Sequence, residues 1–485
     1  MSSPIRNLTR QTFIYGTGNI LSRLITFLLL PIFTNVLSPE EYGIVTLGYV
    51  FLGFMNVIYH YGLDNALIRY YRENDRIFSK SVLFSTAIWL LLVSSTVFSI
   101  VLYLFRNPIA EILFKDLNYS NIVSLSVFIL FFDSISIISN AFLRIEEKSR
   151  QFIMIKLVNV LTTLILSIYL VIHLNYGVTG VFISVMIAAV LNAVFLIFLT
   201  ISKIRFSFSN LLAKDYVKFG IPFLAAGLTA ITMELIDRYI LASLTDVHTL
   251  GIYSAGYKLG IFMLLVSTAF NYACQPFFFK ERKSENTKII FSRVLTYFVM
   301  GSAVVWVSVS AFIHEIVRIQ LGGYSLIGSQ FYGAEHIVPV ILLGYMFQGI
   351  YYNFLPGIYF ENKTKLIPLI IGASAIINIT LNYMLIPAFE IIGAAFATMV
   401  SYAIMAIVTY FISRKFLQVS YDWNKIAKIG VTAILSVTLI YLFWNMLLVK
   451  ILSLFFFLFM LYFLKVVTKK EIIRFNNLIF AMDKD

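Results

Sequence analysis

The sequence predicts an all-α polytopic membrane protein of about fourteen transmembrane helices, arranged as two pseudo-symmetric six-helix lobes and two further C-terminal helices. Three observations predict it. Of 485 residues, 60% are hydrophobic and 13% charged, where a soluble domain is about half apolar and about a quarter charged. The apolar residues gather into about fourteen runs of about 20 residues, the length that crosses the hydrocarbon core. Of the 37 Lys and Arg residues, about 30 fall in connections that share one side when the runs are threaded through a membrane in order, which is the positive-inside signature.

The first run, 12–36, follows Arg6 and Arg10 and has no small-residue cleavage motif, so it reads as a retained first span. Runs near 43–63, 81–105, 120–142, 152–174 and 179–201 complete an N-terminal lobe over 1–210. A second lobe over 211–420 holds runs near 219–243, 251–275, 289–313, 336–360, 366–387 and 391–412. Two more, near 426–444 and 447–464, lie in 421–485 ahead of a basic tail.

With the N-terminus inside, successive cytoplasmic connections carry Arg69, Arg72, Arg76 and Lys80; Arg144, Lys148, Arg150 and Lys156; Lys203, Arg205, Lys214 and Lys218; and Lys280, Arg282, Lys283, Lys288 and Arg293. Lys363 and Lys365, then Arg414, Lys415, Lys425 and Lys428, then Lys469, Lys470 and Arg474 continue the pattern. The opposite connections, such as Ser38-Pro39-Glu40-Glu41 and Thr245-Asp246-Val247-His248, are short and nearly free of cations. Both termini are therefore expected in the cytoplasm, with the chain in the cytoplasmic membrane.

This layout narrows the function. The chain is basic, with a pI near 9.5, but its cations sit in short loops and form no continuous face. They suit anionic headgroups and argue against nucleic acid. The lone Cys274 lies in an apolar run and offers no disulfide framework or Cys-based metal site. No connection exceeds about 25 residues, and none contains a Gly-rich phosphate loop, an HExxH pair or a Gly-x-Ser-x-Gly elbow. The largest outer connection, near 314–335, has few titratable groups, so an enzyme is not expected, and neither a cofactor nor a metal is called for.

An internal repeat supports the two-lobe reading. Gly43-Ile44, Gly48-Tyr49 and Phe54-Met55 recur at an offset of 208 as Gly251-Ile252, Gly256-Tyr257 and Phe262-Met263, six identities within thirteen positions. Six spans per repeat give both halves the same orientation, with a pseudo-twofold axis along the membrane normal. Transporters built this way alternate access by moving their halves. An old duplication without any motion would leave the same trace.

Tyr15-Gly16-Thr17-Gly18-Asn19-Ile20-Leu21-Ser22-Arg23, continuing through Leu30-Pro31-Ile32-Phe33-Thr34 to Leu37-Ser38-Pro39-Glu40-Glu41-Tyr42-Gly43, resembles the opening of bacterial polysaccharide repeat-unit flippases of the O-antigen and capsule type. Asp237-Arg238-Tyr239-Ile240-Leu241 and Gly251-Ile252-Tyr253-Ser254-Ala255-Gly256-Tyr257-Lys258-Leu259 resemble them too. These proteins form the polysaccharide transporter branch of the multidrug/oligosaccharidyl-lipid/polysaccharide (MOP) exporter superfamily. The resemblance implies a two-lobed, MATE-like helical bundle with a central cavity. It also implies translocation of an undecaprenyl-pyrophosphate-linked oligosaccharide from the inner to the outer leaflet, with membrane lipid, a polysaccharide polymerase and glycosyltransferases as partners. Lipid II flippases share the fold and also carry a Ser-Arg pair in the first span, so Ser22-Arg23 leaves that alternative open.

Ionisable residues at membrane depth cost about 2.5–3.5 kcal/mol each on insertion scales, so each asks for a partner or a task. Arg23 falls in the first span, Asp133 in the fourth, Glu234, Asp237 and Arg238 in the seventh and Lys258 in the eighth. Glu234 and Arg238, four apart, are spaced to pair on one helix face. Nothing acidic lies within two turns of Arg23, and a guanidinium suits the oxygens of a phosphate. Arg23, Arg238, Lys258, Asn19 and Asn271 are therefore the candidate contacts to pyrophosphate or glycan. Asp133, Glu234 and Asp237 are candidates for coupling to H⁺ or Na⁺. Two readings compete with the flippase: a multidrug or cation antiporter, which would favour a net negative cavity, and a non-transporting scaffold for polysaccharide assembly.

Overall fold

The computed structural model describes residues 16, 18, 20–73, 78–281, 286–444 and 446–466. These residues are almost entirely helical. Eleven helical stretches are long and apolar enough to cross a membrane, and two shorter apolar helices, Ile20–Val36 and Leu447–Phe463, coincide with the first and last expected spans. The chain is a multi-pass membrane protein. Side chains such as Leu104, Phe198, Leu442 and Phe463 stand largely exposed, and lipid is the solvent that accepts so much apolar surface.

In chain order the helices are α1 (Ile20–Val36), α2 (Pro39–His60), α3 (Leu63–Arg72), α4 (Lys80–Leu104), α5 (Arg106–Phe114), α6 (Ser120–Ile145), α7 (Ser149–Ser167), α8 (Gly177–Thr200), α9 (Asn210–Leu244), α10 (Val247–Leu259), α11 (Ile261–Glu281) and α12 (Thr287–Val317). A two-stranded hairpin, β1 (Gln320–Leu321) with β2 (Tyr324–Ser325), follows. Then come α13 (Val338–Phe354), α14 (Pro356–Phe360), α15 (Leu366–Arg414), α16 (Trp423–Leu442) and α17 (Leu447–Phe463).

Local chemistry sets several of these boundaries. Ser38 and Glu41 form a reciprocal capping box with Pro39 at the first helical position, so α2 begins four residues ahead of the expected run. Ser79, Ser209 and Asp422 cap α4, α9 and α16 through their side-chain oxygens. The 49 residues of α15 would span about 74 Å if straight, more than twice the hydrocarbon thickness. They double back at Glu390, whose φ is 45°. The Asn378 amide reaches the Thr398 hydroxyl at 3.4 Å across twenty residues of sequence, which only a hairpin allows. This element thus contains both of the expected runs 366–387 and 391–412.

The chain forms two compact units. The first comprises Met1–Lys258, Gln320–Ile337 and Lys365–Ser401. Its core gathers Leu63, Leu67, Phe84, Ala87, Phe142 and Tyr216 from α3, α4, α6 and α9. The β1–β2 hairpin docks on the end of α1, where Asn35 donates to the Ser325 carbonyl at 2.7 Å. Within this unit the repeat becomes a physical contact. A Cβ at Gly43 would lie 2.0 Å from the Val247 carbonyl oxygen, and one at Gly251 would lie 1.9 Å from that of Pro39. Val247 precedes Gly251 by four residues, as Pro39 precedes Gly43, so α2 and α10 make one reciprocal backbone approach that only glycine permits.

The second unit comprises Leu259–Ile319, Val338–Thr364 and Tyr402–Asp485. The Ser267 hydroxyl donates to the Tyr345 carbonyl at 2.8 Å, joining α11 to α13, and the Trp306 indole donates to the Pro339 carbonyl at 2.9 Å, joining α12 to α13. Helices α16 and α17 pack on α12. There Lys450, which is buried, meets Glu315 at 2.8 Å and lies over the Trp444 ring.

Candidate functional site

Arg23 lies in α1, whose helical backbone is already present at Gly16 and Gly18, and is exposed. Its neighbour Ser22 is buried and donates to the Gly18 carbonyl at 2.8 Å, a bond internal to the helix that turns Ser22 inward and Arg23 outward. No carboxylate pairs with Arg23 among the described residues. What stands near it is a second cation: Lys156 of α7 lies close enough to feel its charge. Gly18, just ahead of α1, abuts Ile153, one turn before Lys156 on α7. One turn after Lys156, the buried Asn159 carbonyl oxygen has no donor. Thus a guanidinium on α1 stands near an ammonium on α7, one turn from a buried amide oxygen. Like charges brought near each other repel, and an anion bound at Arg23 would offset that repulsion.

Lys156 was expected in a cytoplasmic connection. It sits about 10 Å into α7, two turns from Ser149. The sequence signal was its spacing to Asn159, with both residues on one helix face, but the partner Arg23 is more than a hundred residues away.

The seventh-span charges arrange differently from the expected pairing. The Arg238 guanidinium meets Asp237 at 3.0 Å, donates to the Glu234 backbone carbonyl and lies 4.2 Å over the Tyr257 ring. Its ion partner is Asp237, and the Glu234 side chain is exposed. Asp237 is buried and fully engaged. It accepts from the Tyr253 hydroxyl at 2.6 Å, from the Thr398 hydroxyl at 3.4 Å, and from the Arg238 side chain and backbone N–H. Thr398 in turn accepts from Asn378, to which Asn382 donates. Such a saturated carboxylate locks α9, α10 and α15 together, and it neutralises Arg238.

Lys258, in the last turn of α10, stands 5.4 Å over the Tyr42 ring. Immediately beyond it, the helical run of the eighth span breaks at Gly260 before α11 begins, and the unit boundary falls between Lys258 and Leu259. A cation at a helix C-terminus meets the negative end of the macrodipole. The break was missed in the sequence, where its trace is Leu259-Gly260-Ile261 within an otherwise apolar run.

Asp133 on α6 has neither an ion partner nor a hydrogen bond among the described residues. Asn271 belongs to the second unit, where it lines a narrow aromatic recess with Cys274, Gln275, Tyr352 and Tyr359. Asn19 lies outside the described residues. Among the described residues, no three His, Cys, Asp or Glu side chains gather as a metal site would require.

Comparison with known proteins places this geometry in context. The sequence profile of the polysaccharide biosynthesis protein family matches residues 32–324. No curated protein sequence matches. Among solved structures, the lipid II flippase MurJ in an inward closed conformation superposes with a TM-score of 0.74 at 17% identity, over 92% of this chain and 98% of that one. An inward-facing multidrug resistance MATE family transporter of the MOP superfamily gives 0.65 at 12% identity, over 82% and 97%. A MOP superfamily transporter from Pyrococcus furiosus, described as having a binding pocket of reversed polarity, gives 0.56 at 13% identity, over 85% and 94%. The chain belongs to the polysaccharide biosynthesis protein family and folds as the transporters of the MOP superfamily do.

Proposed function

We propose that this protein is a flippase that moves an undecaprenyl-pyrophosphate-linked oligosaccharide repeat unit from the inner to the outer leaflet of the cytoplasmic membrane by alternating access. The observation that carries the proposal is Arg23, an exposed guanidinium with no carboxylate partner among the described residues, on a helix that Gly18 packs against α7, the helix of Lys156. A pyrophosphate has the charge and the oxygens to engage the Arg23 guanidinium. The polyprenyl tail stays in lipid while the charged headgroup crosses.

With the cytoplasm negative, outward movement of an anion is downhill by about 2.3 kcal/mol per charge per 100 mV, so the membrane potential biases export without ATP. Asp133 is the better candidate for ion coupling, because Asp237 already accepts four hydrogen bonds. A multidrug antiporter would place negative charge where this chain places Arg23 and Lys156. The membership in a polysaccharide biosynthesis family favours a repeat-unit glycan over lipid II.

Replacement of Arg23 by alanine tests the proposal. Arg23→Ala should insert in the membrane at wild-type level and abolish glycan export in cells that depend on this chain. Wild-type export by that variant would contradict it, and is the outcome expected of a scaffold.

A further inference from the structure

A groove of about 430 Å³ opens between the start of α5, the first half of α6 and the start of α8 in the first unit. That volume lies within the range of small-molecule sites, about 300–1,000 Å³. At its rim Arg106 is held in place: its guanidinium donates to the Tyr103 carbonyl at 3.4 Å and lies 4.5 Å over the Tyr103 ring. No carboxylate pairs with it among the described residues. The wall is polar. Ser120, Ser124, Asn121 and Thr179 line it, and the Asn121 amide donates to the Thr179 hydroxyl at 3.2 Å, fixing α6 to α8. Its floor is apolar, formed by Leu125, Phe128 and Ile183, and Phe128 is 49% exposed.

A cation, then hydroxyls and amides, then apolar surface is the order in which a phospholipid presents phosphodiester, glycerol esters and acyl chain. We propose that this groove binds one anionic glycerophospholipid of the outer leaflet, with its phosphodiester on Arg106 and an acyl chain along Phe128. A single unpaired cation matches the single charge of a phosphodiester, whereas the Arg23–Lys156 pair suits a pyrophosphate. The leaflet rests on the polarity proposed above, since the basic connections at Arg144–Arg150 and Lys203–Arg205 lie at the other ends of α6 and α8. A lipid seated there would brace α5, α6 and α8 from the outer side.

Lipid retention by the full-length protein tests this. The protein is purified with phosphatidylglycerol or phosphatidylcholine, washed with detergent, and the lipid bound per chain is counted by native mass spectrometry. The wild type and Arg106→Lys should retain one phosphatidylglycerol and no phosphatidylcholine, while Arg106→Gln should bind at least about tenfold more weakly. Ser124→Phe, which fills the groove and leaves Arg106 intact, should lose the same lipid, and it supplies the answer if Arg106→Gln does not fold. Equal retention by the wild type and both variants, or equal retention of phosphatidylcholine, would overturn the proposal. So would stoichiometric displacement by undecaprenyl phosphate, which would identify the carrier lipid as the occupant. Retention requires no transport, so failure here leaves the flippase reading untouched, and failure of Arg23→Ala to block export leaves this one untouched.

Discussion

The reciprocal approach of α2 and α10 makes Gly251 the most exacting position in the first unit. In Gly251→Ala the new Cβ would lie 1.9 Å from the Pro39 carbonyl oxygen and 2.7 Å from the Pro39 carbonyl carbon, where ordinary contact begins at 3.4 Å. The helices must separate by about 1.5 Å, and no rotamer relieves the clash because both opposing atoms are backbone in a close-packed interior. Overpacking usually costs about 1–3 kcal/mol, and a backbone clash of this depth belongs at or above the upper end. Gly43→Ala, at 2.0 Å from the Val247 oxygen, should cost the same within error, since the two sites exchange roles. Gly301 in α12 is the control: a Cβ there meets nothing within 4 Å. As an interior helical position, Gly301→Ala should be neutral or stabilising by about 0.5–1 kcal/mol. Thermal unfolding of detergent-solubilised protein should show both first-unit variants at least about 5 °C below wild type, with Gly301→Ala at or above it. If Gly251→Ala melts with Gly301→Ala, the reciprocal packing is wrong.

Other outcomes follow from the buried charges and from the threading. Asp237→Ala strips the Arg238 guanidinium of its counter-charge and should destabilise by about 3–5 kcal/mol, against about 1–2 kcal/mol for Tyr253→Phe, both read by the same thermal assay. In the second unit the asymmetry of burial sets the order. Lys450 is 1% exposed and Glu315 is 40% exposed. Glu315→Ala leaves a fully buried ammonium, whereas Lys450→Met leaves a carboxylate on a partly exposed side chain, so Glu315→Ala should be the more destabilising of the two. Reporter fusions after Asp75 and after Glu285 should read cytoplasmic and one after Asp116 periplasmic; the reverse at any of them would overturn the polarity.

The helical segments were legible because a span must be apolar over about 20 residues whatever it packs against. The turns between them were less so. Glu390 reverses α15 with only Pro387 and Gly393 nearby as signals, and Gly260 interrupts the eighth span with a single residue. The repeat was legible as identities, but not the fact that its glycines face one another, because sequence similarity reports ancestry and not contact. The charges were least legible. Spacing favours Glu234 for Arg238, since residues four apart share a helix face. Asp237 takes that role because Tyr253 and Thr398, sixteen and 161 residues away, hold its carboxylate in place. Lys156 was hidden for the same reason, as its relation to Arg23 arises only when Gly18 packs against Ile153 of α7.

Binding of the lipid carrier to the purified protein in nanodiscs tests the anion site most directly, with undecaprenyl pyrophosphate compared against undecaprenol, which lacks phosphate. A charge-assisted contact is worth about 1.5–3 kcal/mol, so Arg23→Ala should weaken pyrophosphate binding by about 10- to 150-fold. Lys156→Ala should weaken it by a similar factor, and Arg23→Lys should recover part of the loss. Undecaprenol that binds as tightly as the pyrophosphate, or an Arg23→Ala variant that binds the pyrophosphate like wild type, would contradict the account.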